Sequence, residues 1–220
     1  MIPKKFKQRY KKIIPEFDKF LEYSAKRQAV SIRVNTIKTS SDKLLQMSHL
    51  RLKPVKWFPD AFFVDTQHAA HVASTLEYFL GHIYLQDAAS MIPPIVLDPQ
   101  AKERILDLTA APGSKTTQIS QMMNNKGCII ANDNAYERIK ALRGNINRLG
   151  CMNVVITRFD VRNFPASENE KFDKVLLDAP CSLEGSMRKY FINWSEGGVR
   201  SFAFLQKKMI DCAWPLVKRG

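Results

Sequence analysis

The sequence predicts an α/β protein: a parallel sheet flanked by helices, preceded by a smaller α+β unit. Three observations carry that prediction. From Arg104 onward, strand, turn and helix patterns alternate. Three successive strands there run out into aspartates, namely Asp133, Asp160 and Asp178. The first ninety or so residues lack this alternation and are rich in basic and aromatic residues instead.

The N-terminal part opens with an apolar stripe at helical spacing (Phe6, Tyr10, Ile13, Ile14, Phe17, Phe20 and Leu21), which Pro15 is placed to break into two helices. Ser31 to Thr36 alternates and is β-rich, so it reads as a strand. Ser41-Asp42 offers an N-cap for a helix from Lys43 to about Leu50. Val55 to Val64 reads as an extended or hairpin segment, with Pro54 and Pro59 as its interruptions.

The larger part then runs Arg104–Thr109 (strand), Gly113–Asn125 (helix after a Pro-Gly turn), Gly127–Asn132 (strand) and Ala135–Leu149 (helix ending at Gly150). Asn153–Arg158 and Phe172–Asp178 are the third and fourth strands, and Val199 to about Val217 is a further helix. Alternating units of this kind imply right-handed crossovers, which bring the loops after the strands to one edge, where ligands bind. The division expected is residues 1–85 and 86–220.

Composition narrows the function classes. A hydrophobic fraction of 45% is enough for a core. No apolar run approaches the roughly 18–20 residues of a membrane span. Met1 to Lys7 is basic without an apolar run behind it, so no signal peptide is expected and residence is expected to be cytoplasmic. Lys and Arg outnumber Asp and Glu by 34 to 21, for a net charge of +13. That imbalance favours a polyanionic partner, RNA, DNA or an acidic membrane surface, with a merely basic soluble protein as the plainer reading, and it fits a small-molecule enzyme poorly. Lys4, Lys5, Lys7, Arg9, Lys11 and Lys12, with Phe6 and Tyr10 among them, suit phosphate contact with base stacking; a single solvated helix face is the plainer reading. The four cysteines contain no C-x-x-C pair, so neither a zinc site nor a disulfide framework is expected. Cys128 and Cys212 read as core, and only Cys181 has neighbours that suggest reactivity.

The loop Thr109-Ala110-Ala111-Pro112-Gly113-Ser114-Lys115 is neither a Walker phosphate loop nor a G-x-G-x-x-G loop. It does place Pro-Gly at a helix start, where free N–H groups can face a carboxylate. Asp133 is positioned for ribose hydroxyls and Asp160 for an adenine amino group, which together suggest an adenosine-containing ligand. Asp178-Ala-Pro-Cys181 sets a carboxylate and a thiol at a strand end. A thiol adding to carbon 6 of cytosine makes carbon 5 nucleophilic toward a methyl group, and a carboxyl group can hold the charge on the ring. For an isolated Pro-Cys, an inert turn would be the better reading.

Several segments in order change that balance: Arg33-Val34-Asn35-Thr36, Tyr84 to Met91, Leu106 to Thr116, Asp133-Asn134 with Arg138, and Asp178-Ala-Pro-Cys-Ser182 with Glu184-Gly185. In these the chain resembles the RNA cytosine-5 methyltransferases of the NOL1/NOP2/Sun group, nearest the archaeal tRNA-modifying branch. The resemblance implies a Rossmann-like methyltransferase sheet, S-adenosylmethionine as cofactor and RNA, tRNA before rRNA, as partner. It implies that Thr109 to Lys115 wraps the methionine part, that Asp133 holds the ribose and that Arg138 lies near the same cofactor. Asp160 would meet the adenine, and Asp178 would sit between cofactor and base. It makes Cys181 the thiol that assists product release, the attacking cysteine belonging to a Thr-Cys-Ser motif beyond Val217. The expectation is therefore a shortened chain of little or no turnover, its fourth strand at a sheet edge, cut by truncation or an interrupted reading frame or completed by a separate chain. Leu183 departs from a usual glycine. A non-catalytic RNA-binding module, or attack by Cys181 itself, are the alternatives.

Overall fold

The structure, a computed structural model, describes residues 2–26, 29–165, 171–182 and 194–219. Leu183, Glu184 and Gly185 lie outside the described residues. The chain divides into two compact units, Met1–Gln28 with Ala179–Asp211, and Ala29–Asp178 with Cys212–Gly220.

In the first unit, α1 (Lys4–Tyr10) and α2 (Phe17–Ala25) are separate helices, as Pro15 suggests. Phe6 and Phe17 are buried at the centre of an aromatic cluster with Tyr10, Phe20 and Trp194, and Phe6 meets Trp194 edge-on at 5.3 Å. Ile13 does not join the stripe; it is exposed in the turn after α1. Lys4, Lys5, Lys7, Lys11 and Lys12 are exposed.

The second unit holds two four-stranded sheets. The first is antiparallel, built from β1 (Ser31–Val34), β2 (Leu52–Pro54), β3 (Ala61–Val64) and β4 (Ile83–Leu85) in the order β2-β3-β1-β4. The extended segment around Val55 to Val64 is thus a hairpin displaced toward the N-terminus, with Lys53 opposite Phe63. Helix α3 (Ser41–Met47) is capped by Ser40, whose Oγ accepts from the Lys43 N–H at 3.3 Å. Ser41 is not the cap because its hydroxyl donates to Asp60 Oδ1. Alternation along β1 sends Ile32 and Val34 into an apolar cluster with Leu44, Phe62, Val64, Val72 and Ile83.

Short helices α4 (Leu76–Phe79) and α5 (Ile92–Leu97) follow, the latter beginning with Pro93-Pro94, tolerated in a first turn.

The second sheet is wholly parallel: β5 (Arg104–Asp107), β6 (Cys128–Asn132), β7 (Val154–Thr157) and β8 (Lys174–Leu176), in the order β7-β6-β5-β8. Helices α6 (Ser114–Met122) and α7 (Tyr136–Leu149) link the first three, and Gly150 ends α7 in the left-handed conformation the sequence suggests. Each predicted element is present, shortened at its ends. The last helix, α8 (Glu196–Ala213), starts earlier than predicted and gives way to a 3-10 turn at Trp214–Leu216. Within the second unit Val217 bridges Phe172 in parallel, and among the described residues β8, like β7, is an edge strand of its sheet. Cys128 and Cys212 are only half-buried, correcting their reading as core; Cys151 is buried. No helix among the described residues is long and apolar enough to cross a membrane.

Candidate active site

In a parallel sheet of order β7-β6-β5-β8, successive crossovers leave β5 in opposite directions, and the crevice lies beyond the carboxyl ends of β5 and β8. There Thr109 Oγ1 donates to the Asp178 carbonyl at 3.0 Å and accepts from the Asp178 N–H at 3.1 Å. This reciprocal pair ties the loop after β5 to the end of β8. Lys115, from the first turn of α6, reaches Asp178 Oδ2 at 2.6 Å with its own side chain only 13% exposed.

The loop from Thr109 to Lys115 is held from below by β6 and α7. Asp133 is buried; its Oδ2 accepts from the Ala111 N–H at 3.2 Å and its Oδ1 from the Ala135 N–H at 3.1 Å. Arg138 reaches Asp133 Oδ2 at 3.4 Å and also donates to the Ala111 carbonyl at 2.5 Å. The Gly113 N–H closes a tight turn onto the Ala110 carbonyl at 2.7 Å, and the Ala111–Pro112 peptide is cis. Gly113 has φ +106°, and a Cβ there would stand 2.9 Å from Leu142 Cδ1. Both conditions call for glycine. Ser114 begins α6, whose first N–H groups have no intrahelical acceptor.

Asp160 follows β7 and is engaged by Arg162: Oδ1 accepts from its N–H and its Nε at 2.9 Å each, and Oδ2 accepts from Nη2 at 2.5 Å. Those bonds hold its carboxyl down at about 2. Cys181 is exposed and belongs to the first unit, where Gln206 Nε2 donates to the Pro180 carbonyl at 2.7 Å. The second unit thus brings Thr109, Ala110, Ala111, Pro112, Gly113, Ser114, Lys115, Asp133, Arg138 and Asp178 into one bonded network, with Asp160 on the neighbouring strand end.

Four supports have no role assigned in the sequence reading, although Arg33 and Asp107 lie within segments that carry the resemblance. Asp107 is buried; desolvation pushes its carboxyl up to about 6, although Thr116 Oγ1 donates to it at 2.7 Å. Asn132 donates to the Leu108 and Phe159 carbonyls and accepts from the Phe159 N–H, clamping two strand ends together. Asn145 donates to the Pro112 carbonyl at 2.9 Å. Arg33, from β1, reaches the first turn of α6. Asp107 and Asn132 are the last residues of β5 and β6, but both are buried with their side chains bonded to other protein groups, and Arg33 and Asn145 come from elements further off in sequence.

A separate cavity of about 480 Å³ is lined by all four histidines with Leu44, Leu50 and Leu80, and it shares no residue with the strand-end site. Among the described residues no group of three or more His, Cys, Asp or Glu side chains is arranged to hold a metal ion.

A Rossmann-like sheet with a helix-start loop, a carboxylate after the second strand of the sheet and another beyond the switch point defines a nucleotide-cofactor enzyme fold. Residues 94–220 match the family model described as 16S rRNA methyltransferase RsmB/F, and residues 2–88 match that of the N-terminal domain of 16S rRNA methyltransferase RsmF. The chain belongs to the RsmB/F (NOL1/NOP2/Sun) family. It is 43% identical over 214 residues to the ribosomal RNA small subunit methyltransferase F of Escherichia coli O1:K1 / APEC, covering 93% of this chain and 45% of that protein. The protein of the same name from Shewanella loihica is 38% identical, with 92% and 44% covered. The chain therefore spans a little under half the length of these curated relatives. Among solved structures, PH0851 superposes with TM-score 0.91 at 31% identity over 100% of this chain and 51% of that one. A methyltransferase homologue from Pyrococcus horikoshii gives 0.81 at 34% identity, covering 91% and 65%. NSun6 from Pyrococcus horikoshii with SFG gives 0.86 at 23% identity over 99% and 81%, a likeness of fold.

Proposed function

We propose that this chain carries the S-adenosylmethionine-binding and RNA-contacting parts of an RNA cytosine-5 methyltransferase, with small-subunit ribosomal RNA as its substrate class. The observation that carries the reading is the Thr109–Lys115 loop, locked onto Asp133 and Arg138 and bonded to Asp178 at the switch point of the sheet. The donor set suits the cofactor. Asp133 Oδ1, with one partner, has capacity for a ribose hydroxyl, and Asp160 Oδ2 has capacity for an adenine amino group. The start of α6 suits the carboxylate of the methionine part.

When bound, the cofactor supplies an electrophilic methyl group. Lys115 occupies Asp178 Oδ2, which fixes the carboxylate and leaves Oδ1 as the oxygen for the target base. Cys181 is the thiol that assists the last step, in which the proton on carbon 5 passes to a base, the bond from carbon 6 to sulfur breaks and the aromatic ring returns. Residues 1–85 form the N-terminal RNA-contacting unit and 86–220 the methyltransferase domain, a division supported by the spans of the two matching family models. In the compact unit made of Met1–Gln28 with Ala179–Asp211, Lys4, Lys5, Arg200 and Glu196 line an open cleft with Trp194, whose cations and indole suit phosphate contact and base stacking. The tRNA that the sequence resemblance implies has no counterpart in the names of the curated relatives, which are ribosomal.

Calorimetric titration with S-adenosylhomocysteine tests the cofactor half: we expect saturable binding, weakened at least tenfold in Asp133→Asn with the fold retained by circular dichroism. Failure of the unmodified chain to bind would sink the reading. RNA affinity should fall steeply with salt and favour small-subunit rRNA fragments over tRNA.

A further inference from the structure

Arg33 is a fully buried guanidinium in the middle of β1. Its two terminal nitrogens point at the start of α6: Nη1 donates to the Ser114 carbonyl at 3.0 Å, and Nη2 donates to Thr117 Oγ1 at 2.8 Å. Thr117 Oγ1 in turn donates to the Gly113 carbonyl at 2.7 Å. Two bonds therefore separate the guanidinium from the glycine at the tip of the candidate cofactor loop.

No carboxylate is bonded to this cation among the described residues, and its Nε has no hydrogen-bond partner. Its other neighbours are the Cys151 thiol, the face of the Tyr84 ring, with its centroid 5.5 Å from the guanidinium carbon, and Asp60; Cys151 and Asp60 act on it only through space. Asp107 is bonded to Thr116, and Asp178 to Lys115. Burial accordingly lowers Arg33 to about 10. An uncompensated buried charge is costly. This one lies against the positive end of a helix dipole, which adds to the cost. Hydrogen bonds to Ser114 and Thr117 could be made by a neutral side chain. No carboxylate bonded to it balances the charge, and an anion at the start of α6 would do so.

We infer that Arg33 is an electrostatic positioning residue: acting through the first turn of α6, it holds the carboxylate of the cofactor's methionine part without touching it. The inference rests on the cofactor reading above. Two unit charges about 10 Å apart at an effective dielectric of about 20 change a binding constant by roughly tenfold.

The test compares two probes that differ only in that carboxylate, S-adenosylhomocysteine and its decarboxylated analogue S-adenosyl-3-thiopropylamine, by calorimetry on the whole chain. Arg33→Gln should weaken the first by about tenfold and the second by less than about threefold. Equal weakening of both would make Arg33 merely structural, and no weakening of either would also overturn the inference. Arg33→Lys keeps the charge and loses the fork, so it should keep the wild-type preference for the carboxylate-bearing probe within about threefold. This variant carries the test if Arg33→Gln does not fold, and collapse of the preference in it would refute a role for charge. If the unmodified chain binds neither probe, the cofactor reading itself fails.

Discussion

The two sheets of the second unit spend their polar residues in opposite ways. The parallel sheet places its carboxylates at the strand ends, where Asp133 and Asp178 organise the loop that follows β5. In and just beyond the strands of the antiparallel sheet, the buried polar residues Arg33, Asn35 and Gln86 each reach into the parallel layer. Arg33 bonds Ser114 and Thr117, Gln86 bonds Gln118 Oε1 at 2.8 Å, and Asn35 bonds the Gly81 and Leu149 carbonyls at 2.8 Å each. Arg148 on α7 returns the contact, donating to the Tyr78 carbonyl at 2.6 Å. Buried polar groups demand partners, and satisfying them across a seam specifies one arrangement of two layers where apolar packing alone would allow several. The lesson is that the N-terminal sheet is the back wall of the candidate cofactor site.

The sharpest way to break that seam is Gly81→Ala. Gly81 has φ +74°, and a Cβ there would lie 2.0 Å from the Arg148 carbonyl oxygen. A backbone atom cannot yield as a side-chain tip can, so α7 and β4 must separate. We expect a loss of more than about 3 kcal/mol in denaturant unfolding, together with loss of S-adenosylhomocysteine binding. A variant within about 1 kcal/mol of the parent would show that the two sheets are not held by close backbone approach.

A second measurement concerns the buried carboxylate of the parallel sheet. Asp107 has a folded value of about 6, above its unfolded value near 3.8, so the folded chain binds its proton more tightly. Stability from this group is then fully present below about pH 4 and is lost as pH rises through 6. The difference corresponds to about 3 kcal/mol. Asp107→Asn should remove this downward slope, so that the gap between the two stability profiles shifts in the variant's favour by about 1–3 kcal/mol from pH 4 to pH 7. Parallel profiles would show that Asp107 ionises in the fold as readily as in the open chain. The slope is the useful readout, because the amide also faces the Thr109 N–H and carries a constant cost of its own.

How much of this was legible follows from where each residue's partners lie. The parallel strands, α6 and α7 were readable because periodicity, Pro112-Gly113 and Gly150 are local signals. The strand-end aspartates were readable because an acid after an apolar run is itself unusual. Strand β4 was not readable: Ile83 to Leu85 is three residues long and is a strand only because β1, about fifty residues earlier, pairs with it. The burial of Arg33 was hidden for a related reason. In an alternating strand a cation normally marks the solvent face, yet β1 is buried on both faces, against the apolar cluster on one and the first turn of α6 on the other. The capping error at Ser41 came from a tertiary competitor, Asp60, nineteen residues away.

The smallest effect expected concerns the link between Lys115 and Asp178, and it separates arrangement from stability. Asp178 is more than half exposed, so its ion pair with Lys115 contributes little to folding once water screens it. Lys115→Ala should therefore change unfolding free energy by less than about 1 kcal/mol. The lysine's value lies in direction: it holds one carboxylate oxygen at the crevice where loop and strand meet through Thr109. S-adenosylhomocysteine binding should weaken by about threefold to tenfold in Lys115→Ala while the thermal midpoint stays nearly unchanged. Thr109→Ser, which keeps the hydroxyl, should move neither. A large loss of stability in Lys115→Ala would mean that this end of the parallel sheet, like the seam behind it, is held by its polar bonds. The contrast between a polar seam that holds the layers and a polar edge that only aims would then collapse.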